Sequence, residues 1–130
     1  MFPITTLTSS ILAGVYVAMS IKVIQLRRTY RVSVGADGHK DLEMLIRAHG
    51  NFSEYVPLTL ILLLCAEANN IHWIPLLIIA LLFLAGRLFH AYAFIYNLDH
   101  FKHRVRGMKL TFLCLVALAI LNILLLLIHL

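Results

Sequence analysis

The stretch Arg47–Ala66, RAHGNFSEYVPLTLILLLCA, decides how the chain folds, because a polar first half runs directly into an apolar second half. Asn51 follows Arg47 by four positions and Glu54 follows Asn51 by three, so the three side chains share one face of a helix. Polar side chains inside a membrane helix face neighbouring helices or a water-filled cavity. The stretch therefore predicts a membrane helix that carries a buried polar site.

Four apolar runs account for nearly the whole chain of 130 residues, of which 62% are hydrophobic and 13% are charged. Each run is 21 to 27 residues long, and about 20 residues are needed to cross the core of a bilayer. Only short connections remain, which leaves no room for a separate water-soluble domain. We therefore expect an all-α, integral-membrane four-helix bundle that forms a single domain over residues 1–130, with helices at about 2–27, 42–69, 73–98 and 108–130.

The basic residues predict how the bundle is oriented. Nine of the eleven Lys and Arg lie within 27–47 and 102–109, and none lies in the connection 66–73 or at either chain end. Basic loops remain in the cytoplasm, so both termini are expected on the non-cytoplasmic side of the membrane. No basic residue precedes the first apolar run, which is also too long for a cleaved signal peptide. Topology and contact with membrane lipids explain the net charge of +5 more simply than nucleic-acid binding.

Ionisable residues at matching depths indicate a cavity inside the bundle. Glu54 lies roughly 18 Å into the second helix, and Arg87 lies at nearly the same depth in the third. An unpaired ion at such depth costs at least about 3 kcal/mol, so we expect Glu54 to pair with Arg87 and Asn51 to add hydrogen bonds. Cationic walls would suit an anionic, water-soluble ligand, and a lipophilic co-ligand could approach from the lipid. The expected walls comprise Arg27, Arg28, Arg47, His90, Arg104 and Arg106.

Several other polar residues fit structural roles better. His100 and His103 have an HxxH spacing, but no carboxylate or cysteine joins them, so we expect no metal site. Cys65 and Cys114 both fall inside predicted spans and are expected to be small core residues rather than a disulfide. Packing or interfacial roles are expected for His49, Glu67 and His72. Local expectations are an N-cap at Asp41 and a hydrogen bond from Asn122 to a neighbouring helix.

Three segments resemble conserved blocks of the MAPEG family, the membrane-associated proteins of eicosanoid and glutathione metabolism. The segments are LRRTYRVS at 26–33, LEMLIRAHGNFSEYVP at 42–57 and AGRLFHAYAF at 85–94. Their order extends the resemblance over nearly the whole chain, whose short length is similar to that of the small bacterial inner-membrane branch. The resemblance implies a homotrimer of four-helix protomers. It also implies that glutathione binds between neighbouring subunits at the cytoplasmic side, as a thiol co-substrate.

The resemblance also implies roles for individual residues. In the characterised enzymes an arginine at the start of the fourth helix activates the thiol, and Arg104 or Arg106 could fill that place. A guanidinium beside a thiol favours the thiolate, which is the nucleophilic form. By position, the expected glutathione contacts are Arg47, Asn51 and Glu54 on the second helix, Arg27 or Arg28 at the end of the first, and Arg87 and His90 on the third.

Three departures from the family pattern bear on catalysis. Phe94 stands where several eicosanoid-branch members have tyrosine, Gly107 where one branch has serine, and Gly50 where some members have a further arginine. The resemblance implies a glutathione-dependent transferase or peroxidase that acts on lipophilic electrophiles. The alternative is a non-catalytic glutathione- or lipid-binding scaffold of the same fold. A small multidrug exporter is a third possibility. The one-sided charge distribution and the expected pairing of Glu54 argue against it.

Overall fold

Four long helices make up the described part of the chain. A computed structural model describes residues 1–96 and 101–129. Each helix is long and apolar enough to cross a membrane, which confirms the prediction of four spans, and the described residues contain no strand. The helices are α1 at Pro3–Tyr30, α2 at Lys40–Ala68, α3 at Trp73–Tyr96 and α4 at Phe101–His129.

The start of α4 differs most from the prediction. The helix begins at Phe101 rather than at 108, so the segment FKHRVRG, which we expected to be a loop, forms its first turns. The basic residues suggested a solvated loop, yet Lys and Arg are good helix formers and no proline interrupts them. The predicted end of the third helix at 98 lies outside the described residues.

The start of α2 also corrects a local expectation. The N-cap is His39 and the helix begins at Lys40, so Asp41 lies inside the first turn and is not the cap. The Asp41 carboxylate accepts a hydrogen bond of 2.8 Å from the backbone N–H of Leu42. It also accepts a hydrogen bond from the hydroxyl of Tyr30, at the end of α1. Asp41 therefore ties the start of α2 to the end of α1 across the connection between them.

The helices run alternately up and down, and α3 contacts all three of the others. The most extensive contact joins α3 to α4, whereas α1 and α4 do not touch within the described part of the chain. Asn122 on α4 donates a hydrogen bond of 2.9 Å to the carbonyl of Leu62 on α2, which confirms the predicted link. The buried core that joins the helices includes Leu12, Met19, Leu45, Phe52, Phe83 and Leu118.

Polar contacts hold both ends of α1. The Glu67 carboxylate accepts hydrogen bonds from the backbone N–H groups of Ile4 at 2.9 Å and Thr5 at 2.8 Å, which otherwise lack partners at a helix N-terminus. At the other end, Arg27 Nη1 donates to the carbonyls of Ser33 and Gly35, at 3.1 and 3.0 Å. The packing role expected for Glu67 is therefore confirmed.

Two glycines allow α3 and α4 to approach closely. A Cβ atom added to Gly107 would lie 2.6 Å from the carbonyl oxygen of Gly86 and 3.1 Å from the Cβ atom of His90. A Cβ atom added to Gly86 would lie 3.0 Å from the Cβ atom of Leu110. Since carbon and oxygen atoms cannot approach to 2.6 Å without strain, the crossing requires glycine at 107. This contact fixes the position of α4 beside the polar residues of α3.

Candidate functional site

A cavity of about 630 Å³ lies between α2, α3 and α4, in the half of the bundle that contains the starts of α2 and α4. Its wall from α2 is polar, whereas α3 and α4 contribute both polar and apolar side chains. Arg47, Glu54 and Lys109 are exposed, so the cavity opens to the surface of the protomer on this side. The described lining residues are Arg47, Ala48, Gly50, Asn51, Glu54, His90, Phe94, Arg104, Val105, Met108, Lys109 and Phe112.

Arg87 lies behind the cavity and is 0% exposed. One guanidinium nitrogen donates a hydrogen bond of 3.3 Å to the side-chain oxygen of Asn51, and another contacts the sulfur of Met108 at 3.3 Å. Its Nε–H has no hydrogen-bond partner among the described residues. The guanidinium carbon also lies 5.9 Å from the centre of the Phe52 ring. Arg87 is therefore a buried cation whose acceptors within the described chain are a neutral amide and a thioether.

The expected pair between Glu54 and Arg87 is wrong. Arg87 bonds Asn51 instead, and Glu54 is exposed on the lining of the cavity. Equal depth in the membrane does not determine which way a side chain points around its helix. Side chains three residues apart differ in direction by about 60°. Asn51 therefore reaches Arg87 on α3, whereas Glu54 lies at the exposed part of the cavity lining. The expected pairing of Glu54 therefore no longer argues against a multidrug exporter.

His90 is 4% exposed and lines the cavity. Neither ring nitrogen has a hydrogen-bond partner within the described chain, although the ring faces the backbone of Arg104 without the geometry of a hydrogen bond. The imidazole ring lies 4.9 Å from the ring of Phe94, centre to centre. Within the described residues the imidazole therefore forms no hydrogen bond of good geometry, and it can bond a molecule in the cavity that it lines.

The two candidate arginines of α4 point in different directions. Arg104 lines the cavity, and its guanidinium carbon lies 4.2 Å from the centre of the Phe94 ring. Arg106 is exposed and does not line the cavity. Residues two apart on a helix point about 160° apart, so only one of the pair can face a given site. Within one protomer, the cavity faces Arg104.

The remaining predicted residues lie away from the cavity of a single chain. Arg27 holds the connection that follows α1, and Arg28 is exposed. No described residue of α1 lines the cavity. His103 stacks on Phe89, with ring centres 6.2 Å apart, and His100 lies outside the described residues. No group of three or more metal-ligating side chains occurs in the described ranges.

Sequence reasoning missed the wall that α4 contributes. Val105, Met108, Lys109 and Phe112 follow Arg104 at the spacing of one helical face, but the expected loop up to residue 107 concealed that periodicity. A helix extended back to residue 101 would have placed all of them on one side. Lys109 thereby adds a cation to the lining, and Phe112 adds an apolar surface that is exposed on the outside of the protomer.

A second, smaller groove of about 290 Å³ lies on the other side of α2, against α1. It is mostly apolar and includes Tyr16, Phe52 and Pro57. Nearby, the ring of His49 stacks on Tyr16 at 4.5 Å, and its Nε2 hydrogen-bonds the hydroxyl of Ser20 at 2.8 Å. The packing role expected for His49 is confirmed. Cys65 and Cys114 are both free thiols. Cys114 is buried in the core as predicted, whereas Cys65 is exposed on the protomer, so the core position predicted for it is wrong.

Comparison of the sequence with known proteins agrees with a fold of four apolar helices. A model of the MAPEG family matches residues 5–124. Inner membrane protein YecN of Escherichia coli strain K12 is 36% identical over 104 residues, which is 80% of this chain and 78% of that protein. The protein of the same name from Escherichia coli O6:H1 gives the same figures. The chain, whose described residues include four helices long and apolar enough to cross a membrane, therefore belongs to the MAPEG family and is similar to bacterial inner membrane proteins.

Proposed function

We propose that the protein is a membrane-embedded, glutathione-dependent transferase or peroxidase that acts on lipophilic electrophiles. Glutathione would bind in the cavity between α2, α3 and α4. The observation that carries this proposal is the buried guanidinium of Arg87, which has no carboxylate partner among the described residues and an unused Nε–H beside a cavity with cationic walls. A buried cation of this kind favours an anion in the adjacent space.

The charges of the lining complement those of glutathione, which carries two carboxylates and one ammonium group. Arg47, Arg104 and Lys109 would face the carboxylates, and Arg104 would also favour the thiolate. The carboxylate of Glu54 has no hydrogen bond to another described residue, which leaves it able to accept the ligand's ammonium group. Asn51 would bond the ligand while holding Arg87 in place.

The apolar part of the lining supports a lipophilic second substrate. Phe94, Val105, Met108 and Phe112 share the cavity with the cationic residues. Phe112 is 45% exposed on a membrane-spanning helix, so its ring borders the lipid. A molecule dissolved in the bilayer could reach the cavity along this side, whereas the water-soluble thiol would enter at the end that carries the arginines.

We further propose a homotrimer in which glutathione lies between neighbouring subunits. Arg47 and Glu54 are exposed in one protomer, and a second copy would cover them. Arg28 of that copy is the better candidate for a cross-subunit contact, because Arg27 already bonds its own chain. The basic residues favour the cytoplasmic side of the bacterial inner membrane for this site. Lipids and a lipophilic small molecule are the other expected partners; no metal and no nucleic acid are required.

Calorimetry with glutathione and turnover of 1-chloro-2,4-dinitrobenzene and cumene hydroperoxide, on detergent-purified protein, would test the proposal. We expect Arg47→Ala to weaken glutathione binding at least about tenfold, the loss of one charge-assisted contact. Arg104→Ala should slow turnover about 100-fold, because the thiolate loses its cation. Lys102→Ala removes an equal charge from an exposed position off the cavity and should change neither. Normal binding and turnover by both arginine variants would contradict the site.

A non-catalytic binding protein is the second candidate. No side-chain hydroxyl occurs among the described lining residues: Phe94 stands where some relatives have tyrosine, and Gly107 is required by the α3–α4 contact. Glutathione binding without turnover of either substrate would favour this function. The argument against a small exporter now rests on the charge distribution alone, and proton-coupled export abolished by Glu54→Gln would indicate that function instead.

A further inference from the structure

We propose that His90 carries the proton that hydroperoxide reduction requires, taking it from the glutathione thiol and delivering it to the oxygen that leaves. This inference rests on the proposed function and assigns a specific step to one residue of the same cavity. Its basis is the position of His90, which is 4% exposed, lines the cavity and has no hydrogen-bond partner on either ring nitrogen in the described chain.

A histidine kept for packing alone would normally have a partner. Most buried polar side-chain atoms are hydrogen-bonded, and leaving one unbonded costs about 1–3 kcal/mol. His49 illustrates the ordinary case, since its Nε2 bonds Ser20 and its ring stacks on Tyr16. Among the residues that the structure describes, no group forms a hydrogen bond of good geometry with either ring nitrogen of His90, so the imidazole can bond a molecule in the cavity.

The other charged groups around the cavity are less suited to proton transfer. Arginine and lysine side chains act only as donors, whereas an imidazole can accept a proton on one ring nitrogen and donate it again. Glu54 is exposed, whereas His90 lies at the buried side beside Phe94. Among the described residues, the charged side chains that share the cavity with His90 are Arg47 and Glu54 on α2 and Arg104 and Lys109 on α4, and Arg87 lies near it on its own helix.

The step balances without any further reactant. His90 takes the proton of the glutathione thiol, and the thiolate sulfur attacks the outer oxygen of the hydroperoxide. The O–O bond breaks, and the leaving alkoxide takes the proton from the His90 imidazolium and departs as an alcohol. The sulfur is oxidised to a sulfenic acid and the peroxide is reduced. A second glutathione then attacks the sulfenic sulfur, giving the disulfide and water.

Conjugation provides a built-in comparison, because its leaving group needs no proton. In the reaction of glutathione with 1-chloro-2,4-dinitrobenzene, the thiolate forms a C–S bond and chloride departs as a stable anion. With Arg104 favouring the thiolate, the thiol proton can leave to water through the open side of the cavity. Loss of His90 should therefore affect the two reactions unequally, which a purely structural role would not do.

The experiment compares His90→Gln with the unaltered protein on cumene hydroperoxide and on 1-chloro-2,4-dinitrobenzene. Glutamine retains much of the volume and hydrogen bonding of histidine but cannot shuttle a proton. We expect hydroperoxide turnover to fall about 100-fold, at the lower end of general acid–base contributions. Conjugation and calorimetric glutathione affinity should fall far less, by about tenfold at most, because His90 also lines the glutathione cavity and glutamine keeps a hydrogen-bond donor and acceptor there. His49→Gln, a histidine change off the cavity, should leave both reactions near normal.

Three results would overturn the role of His90: equal loss of both reactions with normal glutathione affinity, no loss of either, or an unaltered protein that conjugates but does not reduce hydroperoxide. In each of these, glutathione binding and conjugation by the unaltered protein would leave the proposed function standing. An unaltered protein that neither binds glutathione nor turns over either substrate would overturn the proposed function itself. If His90→Gln does not fold, His90→Ala with added imidazole replaces it, and restored hydroperoxide turnover is the expected result.

Discussion

Arg87 and its surroundings explain why the site is built from so few residues. A guanidinium carries five N–H donors, and the described chain gives this one the amide oxygen of Asn51 as an oxygen acceptor, with the Met108 sulfur beside it. Burying a cation without a carboxylate is costly unless other groups satisfy it. An anionic ligand in the cavity would offset that cost, so folding energy and ligand affinity are coupled through this one side chain.

The coupling predicts an unusual outcome for Asn51→Asp. A carboxylate at this position would pair with Arg87, so the thermal midpoint in detergent should stay the same or rise. Glutathione affinity measured by calorimetry should fall at least about tenfold, because the new anion neutralises the cation and repels the ligand. Stability and affinity would thus move in opposite directions.

Asn122→Asp is the matched control for this exchange. Asn122 uses its Nδ2 to donate to the carbonyls of Leu62 and Leu118, so an aspartate there would lose both bonds and bury a charge without a cation. It should lower stability by about 1–3 kcal/mol. Equal losses of stability in the two variants would show that Arg87 does not need an anion.

At the scale of the helices, apolar runs predicted the four spans well, and charge misled the prediction of where α4 begins. Hydropathy detects a membrane span because about 20 apolar residues are needed to cross the bilayer core. It does not distinguish a basic loop from a basic first turn, and Phe101–Gly107 proved to be helical. The loss of those turns from the prediction also hid Met108 and Phe112 as lining residues.

The sequence also did not predict which neighbouring residue each side chain of a helix would meet. The stripe of Arg47, Asn51 and Glu54 correctly predicted three residues that line one cavity. Their partners on α3 depend on how two helices are rotated against each other, and that rotation is set by packing rather than by spacing along one chain. Arg87 therefore meets Asn51, while the role of Gly107 at the crossing became visible only from atomic distances.

The α3–α4 crossing predicts that Gly107→Ala will be destabilising. The added Cβ atom would lie 2.6 Å from the carbonyl oxygen of Gly86, so the helices must separate beside His90. Overpacking of this kind costs about 1–3 kcal/mol, and we expect a lower thermal midpoint in detergent together with weaker glutathione binding.

Gly14→Ala is the matched control, because nothing lies within 4 Å of a Cβ atom there. The control should leave stability unchanged or raise it by up to about 1 kcal/mol. Similar midpoints for the two variants would contradict the close crossing.

For the whole molecule, the open side of the cavity is the surface on which we propose that a neighbouring subunit packs. Arg47 and Glu54 are exposed on a helix that spans the membrane, where an uncovered charge costs at least about 3 kcal/mol. A neighbouring subunit that presents the basic end of its α1 would cover them. In a closed ring of three, each subunit gives one surface and receives another, so every site would combine two chains.

Shared sites can be tested by mixing two variants that each bind glutathione weakly. We expect the Arg47→Ala and Arg28→Ala homotrimers to have little activity at a glutathione concentration well below their weakened affinity, since each variant removes one side of every site. When the two variants carry different tags and are purified through both, every mixed trimer contains one interface with both arginines intact. Glutathione conjugation should then recover to about one third of the unaltered rate, because one site in three is complete. A site built within one chain would stay inactive in every mixture, since no single chain holds both arginines. Full turnover by the Arg28→Ala homotrimer would show that Arg28 of α1 does not contribute to the site.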